Sequence, residues 1–196
     1  RQRYDTCGTA CVMSVLNRKG LLLTEENELA IWNMVGKPYN FPGGLAWVLQ
    51  GKKLHTTFLQ NDAHILSAKN PEFQDMNQEL KAAACEYIDL FEKSIAAGMQ
   101  FEVADWGYDR VREEIGRGNL CIMYINVSDT VTHVILGHGY KDGKIIIMDP
   151  LGGTVRMDRD TLDREIVNPM GKRMIIVNKF PNDFFEVIGE QLTNVG

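Results

Sequence analysis

The chain has 196 residues, 44% hydrophobic and 24% charged, with a formal net charge of −5. That is enough apolar material for one domain, 1–196, with a sizeable core. There is no basic run to mark a nucleic-acid footprint, no apolar stretch near the ~20 residues a membrane helix needs, and no signal-peptide pattern. An acidic surface suits a basic or neutral substrate. The chain opens on Arg1 with a candidate functional motif directly behind it, so it is expected to be a domain taken from a longer polypeptide.

The first predicted helix runs over residues 7–19. Asp5 or Thr6 is its cap, Val12, Val15 and Leu16 its apolar set, and Gly20 its stop. Thr24 caps a second helix, where Leu29, Trp32 and Val35 recur every three residues as one buried face and Gly36 ends the pattern. Phe41-Pro42-Gly43-Gly44 reads as a turn launching a short helix, Leu45 to Gln50. The longest helical pattern covers 75–97, with Met76, Leu80, Ala84, Tyr87, Ile88, Phe91 and Ile95 on an apolar face. A further helix is predicted over 109–116, with Gly118 turning the chain into a strand. Strands are predicted at about 120–127, 132–140, 144–149 and 173–178. Lys141-Asp142-Gly143-Lys144 is the hairpin turn between the second and third. Helices first and an antiparallel sheet after them make an α+β fold.

Four cysteines, Cys7, Cys11, Cys85 and Cys121, fit neither a disulfide framework nor a zinc site. Cys11 and Cys121 are expected to be buried packing residues, and the working place a reducing cytoplasm. Cys7 differs, because it stands at a helix start, where free N–H groups and the macrodipole favour an anion. His133 follows 126 residues later inside a strand, and Asp149 ends the next strand, sixteen residues after His133. A thiol on a helix tip, an imidazole and a carboxylate in that order fit a nucleophile, its base and a group that orients the base. His138 competes with His133, but five residues along a regular strand put it on the opposite face. His55 and His64 are read as surface or insertion residues, and Asp142 as a turn residue without a role. Asp149-Pro150 also reads as a turn signal. No pattern for a cofactor or a metal is present, and Gly152-Gly153 lacks the Lys-Ser/Thr of a phosphate loop.

Gln2, Cys7-Gly8-Thr9-Ala10-Cys11, His133-Val134-Ile135-Leu136-Gly137-His138-Gly139-Tyr140 and Met148-Asp149-Pro150-Leu151-Gly152-Gly153 together resemble the bacteriocin-processing, double-glycine leader peptidases. These are papain-like domains often fused to ABC transporters. The resemblance covers residues 2–20 and about 107–178, and leaves about 52–104 as a family-atypical helical insertion. It implies a papain-like fold, with a helical lobe carrying the nucleophile on a helix tip and an antiparallel sheet lobe behind it. It implies nucleophile Cys7, base His133, orienting Asp149 and oxyanion-hole Gln2, although Gln2 stands five residues before Cys7 where the family more often has six. The implied activity is a cysteine endopeptidase cutting a protein or leader peptide after small residues such as Gly-Gly. The insertion favours the toxin domain of an interbacterial effector, neutralised by an immunity protein and acting in a target-cell cytoplasm. The alternative is the leader-peptidase domain of a transporter. A non-proteolytic acyl-transferase or amidase would use the same three groups, and a binding module that had lost activity would not need them.

Overall fold

A computed structural model describes residues 6–20, 25–34, 42–62, 78–128, 131–167 and 171–178. In chain order the elements are α1 (Cys7–Arg18), α2 (Glu25–Met34), α3 (Pro42–Gly51), β1 (Thr56–Gln60), α4 (Gln78–Ala96) and β2 (Gln100–Val103). Then come α5 (Tyr108–Gly116), β3 (Leu120–Ser128), β4 (Val131–Lys141), β5 (Lys144–Asp149), β6 (Gly153–Met157), α6 (Arg159–Glu165) and β7 (Arg173–Val177). The strands form one sheet in the order β2-β1-β7-β3-β4-β5-β6. Among the described strands only β1 and β2 pair in parallel, and the other neighbours are antiparallel. The fold is therefore α+β, with a helical N-terminal part and a mostly antiparallel sheet.

The central strands are apolar without a break because both faces of the sheet are covered. On one face Val12, Leu16, Leu45, Leu49 and Phe58 pack with Ile122, Leu136 and Ile175. On the other, Trp106, Tyr108, Val111 and Leu162 pack with Met123, Ile135 and Ile176. Neighbours in sequence thus serve opposite cores.

Local chemistry explains most boundaries. Gly20, at φ +79°, supplies the left-handed residue that closes α1. The chain enters α3 at Pro42, whose missing N–H costs nothing at a first helical position. The two glycines expected in a turn lie inside that helix. A Cβ on Gly43 would stand 2.8 Å from the Phe91 amide nitrogen, so hydrogen there lets α3 and α4 touch. Ser94 Oγ bonds the Gly43 carbonyl at 2.9 Å across the same contact. The Lys141–Lys144 turn has Asp142 and Gly143 at φ 52° and 75°, the two positive angles a tight hairpin needs.

The structure departs from the sequence expectation in several places. The span 52–104, read as helical, also contributes β1 and β2 to the sheet. Here Phe58 of β1 packs against Phe91 of α4 and Phe101 of β2, with ring centroids 5.5 and 6.0 Å away. The strands β2 and β6 are the two sheet edges, and their half-exposed, partly charged residues give no apolar signal. In α2 it is Ile31 that is buried, while Leu29 is exposed. A three-residue step falls short of a full turn, so such a row sweeps around the helix and its end turns to solvent. Trp32's side chain and Val35 lie outside the described residues. At the end of α4, Ile95 is exposed, because Phe91 and Ser94 take the contact with α3. Met76 also lies outside the described residues.

Candidate active site

Cys7 is the first residue of α1, and Thr6 occupies the cap position without a side-chain cap hydrogen bond. The helix lies along β4. Cys7 meets His133 at one end, Cys11 Sγ donates to the Val134 carbonyl at 3.5 Å in the middle, and Arg18 meets His138 at the other. The lengths match. From Cys7 to Arg18 a helix rises about 16 Å, and from His133 to His138 a strand advances about 16 Å.

The hairpin brings in the third group. Leu136 pairs with Met148, so the next step places Ile135 beside Asp149. His133 is then a diagonal neighbour of Asp149, within reach of an imidazole. The contact is His133 Nε2 to Asp149 Oδ1 at 2.7 Å. With Nε2 engaged, Nδ1 is the ring nitrogen left for the Cys7 thiol. Cys7 and His133 are both buried, and Asp149 is partly so.

Asp149 is itself held. The backbone N–H of Leu151 donates to Oδ1 at 2.8 Å, and that of Gly152 adds a second donor. Burial works against the charge on Asp149, but His133, Leu151 and Gly152 outweigh it and hold the carboxyl below its usual range. Burial likewise opposes a charge on His133. The Cys7 thiol and the Asp149 carboxylate outweigh it, and the imidazole holds its proton above the usual value. Each environment therefore favours the charged form of a group that would have to carry charge during acyl transfer.

Cys11 is fully buried. Burial, and then the nearby Cys7 and Asp149, keep its thiol well above its ordinary pKa. It remains a protonated packing group, as expected. Cys121 is buried and shifted upward too, first by burial and then by Glu114. Cys85 is exposed, and all four thiols are free.

His138 does not reach Cys7. Arg18 Nη2 donates to its Nδ1 at 3.0 Å, which fixes that nitrogen as an acceptor. Burial and the Arg18 charge both keep this imidazole neutral. His55 is exposed, and Asp142 makes a loose surface pair with Arg156 at 3.7 Å. Gln2, Asp5 and His64 lie outside the described residues. Among the described residues no cluster of His, Cys, Asp or Glu is arranged to hold a metal ion. No described helix is long and apolar enough to cross a membrane.

Sequence reasoning missed the two backbone donors on Asp149. The signal was there, since Asp-Pro-Leu-Gly is a turn in which the carboxylate accepts from the backbone two residues on. Asp149 thus makes the backbone contact of a turn residue and a contact with His133 at the same time.

The fold is similar to that of the crystallised peptidase domain of Streptococcus ComA, a bi-functional ABC transporter involved in a quorum-sensing pathway. The TM-score is 0.52 at 12% sequence identity, covering 91% of this chain and 96% of that one. No protein-family model matches the chain, and no curated protein matches it. The likeness is one of fold, and the neighbour is a domain of the kind that the motif resemblance names.

Proposed function

We propose that this chain is a cysteine endopeptidase that uses Cys7, His133 and Asp149. One observation carries the reading: His133 stands between Cys7 and Asp149, hydrogen-bonded to both, with Nε2 on the carboxylate at 2.7 Å. In the proposed reaction the Cys7 proton passes to His133 Nδ1 and Sγ attacks the peptide carbonyl. The imidazolium, stabilised by Asp149, returns that proton to the leaving amine. Water then enters on the same side, gives a proton to His133, and releases the acyl group from sulfur. The free N–H groups at the tip of α1, joined by Gln2, are the proposed donors to the oxyanion.

The proposed substrate is a protein or leader peptide cut after small residues, Gly-Gly first among them. The likeness to the peptidase domain of a transporter favours a transporter setting in a producer's cytoplasm over an interbacterial toxin with an immunity protein. Acyl transfer to an amine in place of water is the rival chemistry for the same three groups.

The test is incubation of the purified chain with a Gly-Gly leader peptide and with a proteome-derived peptide pool, followed by mass spectrometry. New N-termini after glycine, absent with Cys7→Ala, support the peptidase. Amine-crosslinked products would replace it with a transferase, and neither product would leave a binding module. Thiol alkylation is an informative control only in a Cys85→Ala background, because Cys85 is the exposed thiol.

A further inference from the structure

We propose that Arg173, with Gln60 beside it, is a subsite for a carboxylate of the substrate peptide, on the β3 side of the reacting groups. The inference rests on the peptidase reading and adds a specificity element to it. Arg173 opens β7 and is 6% exposed, and Gln60 ends β1 and is 1% exposed. They are paired in register. The Arg173 Nε and Nη2 atoms and the Gln60 Oε1 atom have no hydrogen-bond partner among the described residues. Gln60 spends its amide nitrogen on the Asp62 carbonyl.

A buried guanidinium without a partner is rare, because desolvating a charge is unfavourable unless an opposite charge meets it. Gln60 cannot supply one, since an amide oxygen carries no net charge. The fold supplies carboxylates to its other shielded arginine. Arg110 has Glu102 at 3.0 Å and Glu114 at 2.9 Å. Among the described residues Arg173 has no such ion pair, and the proposal places its counter-charge on a bound peptide. Its planar fork of donors suits a carboxylate, and the free Gln60 oxygen suits a peptide N–H beside that carboxylate.

The location makes the carboxylate part of a substrate. Met174 pairs with Met123, so Arg173 falls level with Tyr124, and Tyr124 pairs with Val134. Val134 is the residue whose carbonyl takes the Cys11 thiol, one helical turn from Cys7. Strand β7 is two strands from β4, or about 10 Å. An extended peptide covers that distance in about three residues. The charge is therefore expected within about four residues of the bond attacked.

The test compares Cys7→Ala, which binds without cutting, with Cys7→Ala/Arg173→Met. Both are melted alone and with acetyl-Xaa-Ser-Gly-Gly-Ser-amide, where Xaa is Glu or Gln, and with the Gln peptide carrying a free C-terminus. Without peptide, Arg173→Met should melt about 3 °C or more higher, because it removes an unpaired buried charge. The Glu peptide, and not the Gln amide, should raise the melting temperature of Cys7→Ala and leave the double variant unmoved. A shift with the free-acid peptide in place of the Glu peptide supports the same site and assigns the carboxylate to a chain end. A lower melting temperature for Arg173→Met would mean that the fold already pairs this charge, and would overturn the proposal. So would equal shifts in both variants, or no shift with any peptide. If the Glu peptide binds through Arg173 while the Cys7 chain cuts nothing, the subsite stands and the peptidase reading falls.

Discussion

Replacing Asp149 by Asn removes a charge and keeps a shape, so it isolates what the carboxylate does. Asp149 Oδ1 receives two donors, His133 Nε2 at 2.7 Å and the Leu151 N–H at 2.8 Å. The amide of Asn has to leave its oxygen at that place, since its NH2 would face the Leu151 N–H. The tautomer with the proton on Nε2 therefore survives, and Nδ1 stays free to accept from Cys7. What disappears is the charge that stabilises the imidazolium. A hydrogen bond to a charged group is worth about 1.5–3 kcal/mol and a neutral one about 0.5–1.5. The difference, about 1–2 kcal/mol, converts to a loss of about five- to thirtyfold in kcat/KM. In a serine-protease triad the same exchange costs about 10⁴-fold because it fixes the wrong tautomer. The Leu151 anchor should prevent that outcome here. The assay is kcat/KM on a cleaved glycine peptide from pH 5 to 9, with thermal melts to confirm folding. A loss near 10⁴-fold would refute the anchoring by Leu151, and an unchanged rate would mean that another group orients His133.

Cys7→Ala should abolish turnover and keep the fold, whereas Cys11→Ala, Cys85→Ala and Cys121→Ala should stay active; a Cys7→Ala enzyme that still cuts would end the mechanism. His133→Ala should be inactive and His138→Ala active, because His138 lies against Arg18 at the far end of α1; the reverse pattern in a peptide assay would put the base elsewhere. His133 is raised above 6.5 by Cys7 and Asp149 against its burial. Its stabilising effect is therefore full below about pH 6.5 and fades as pH rises through the folded value. Asp149 is lowered from 3.8 by His133 and two backbone donors, so its effect is present above about pH 4 and fades as pH falls through the folded value. In urea melts, the stability gap between the native chain and His133→Gln should shrink at high pH; a gap that widens would contradict the linkage. Gly43→Ala should destabilise by about 1–3 kcal/mol, as for other overpacked contacts, because its Cβ would fall 2.8 Å from the Phe91 nitrogen; an unchanged melting temperature would mean that α3 and α4 separate freely.

The closeness of Cys7, His133 and Asp149, the three proposed reacting groups, was readable because each sits where local sequence dictates geometry. Cys7 opens a twelve-residue helix, and Gly20 closes it. Asp142-Gly143 fixes the hairpin, and with it the register that carries Asp149 diagonally to His133. What stayed hidden depends on distant partners. Strands β1, β2 and β6 have polar or half-exposed residues, and only their sheet neighbours make them strands. Leu29 and Ile95 are apolar in a helical rhythm, yet the surface that would cover them belongs to other residues. Arg173 and Gln60 could not be picked out at all, because the absence of a partner is a property of a folded neighbourhood.

The proposed site needs α1 as a whole and not just its tip. Three contacts tie the helix to β4: Cys7 with His133, Cys11 with Val134, and Arg18 with His138. Because helix and strand advance by the same ~16 Å between the outer pair, all three can form together in one register. Sliding the helix by one residue would turn it by about 100° and carry Cys7 off His133. The interior contacts are what resist this: Val12, Val15 and Leu16 are fully buried against the sheet core that contains Val134 and Leu136. The Arg18–His138 contact is exposed and should add little to stability. Position of the thiol is thus set mainly by apolar packing one to three turns away from it, and the polar contacts report the register more than they enforce it.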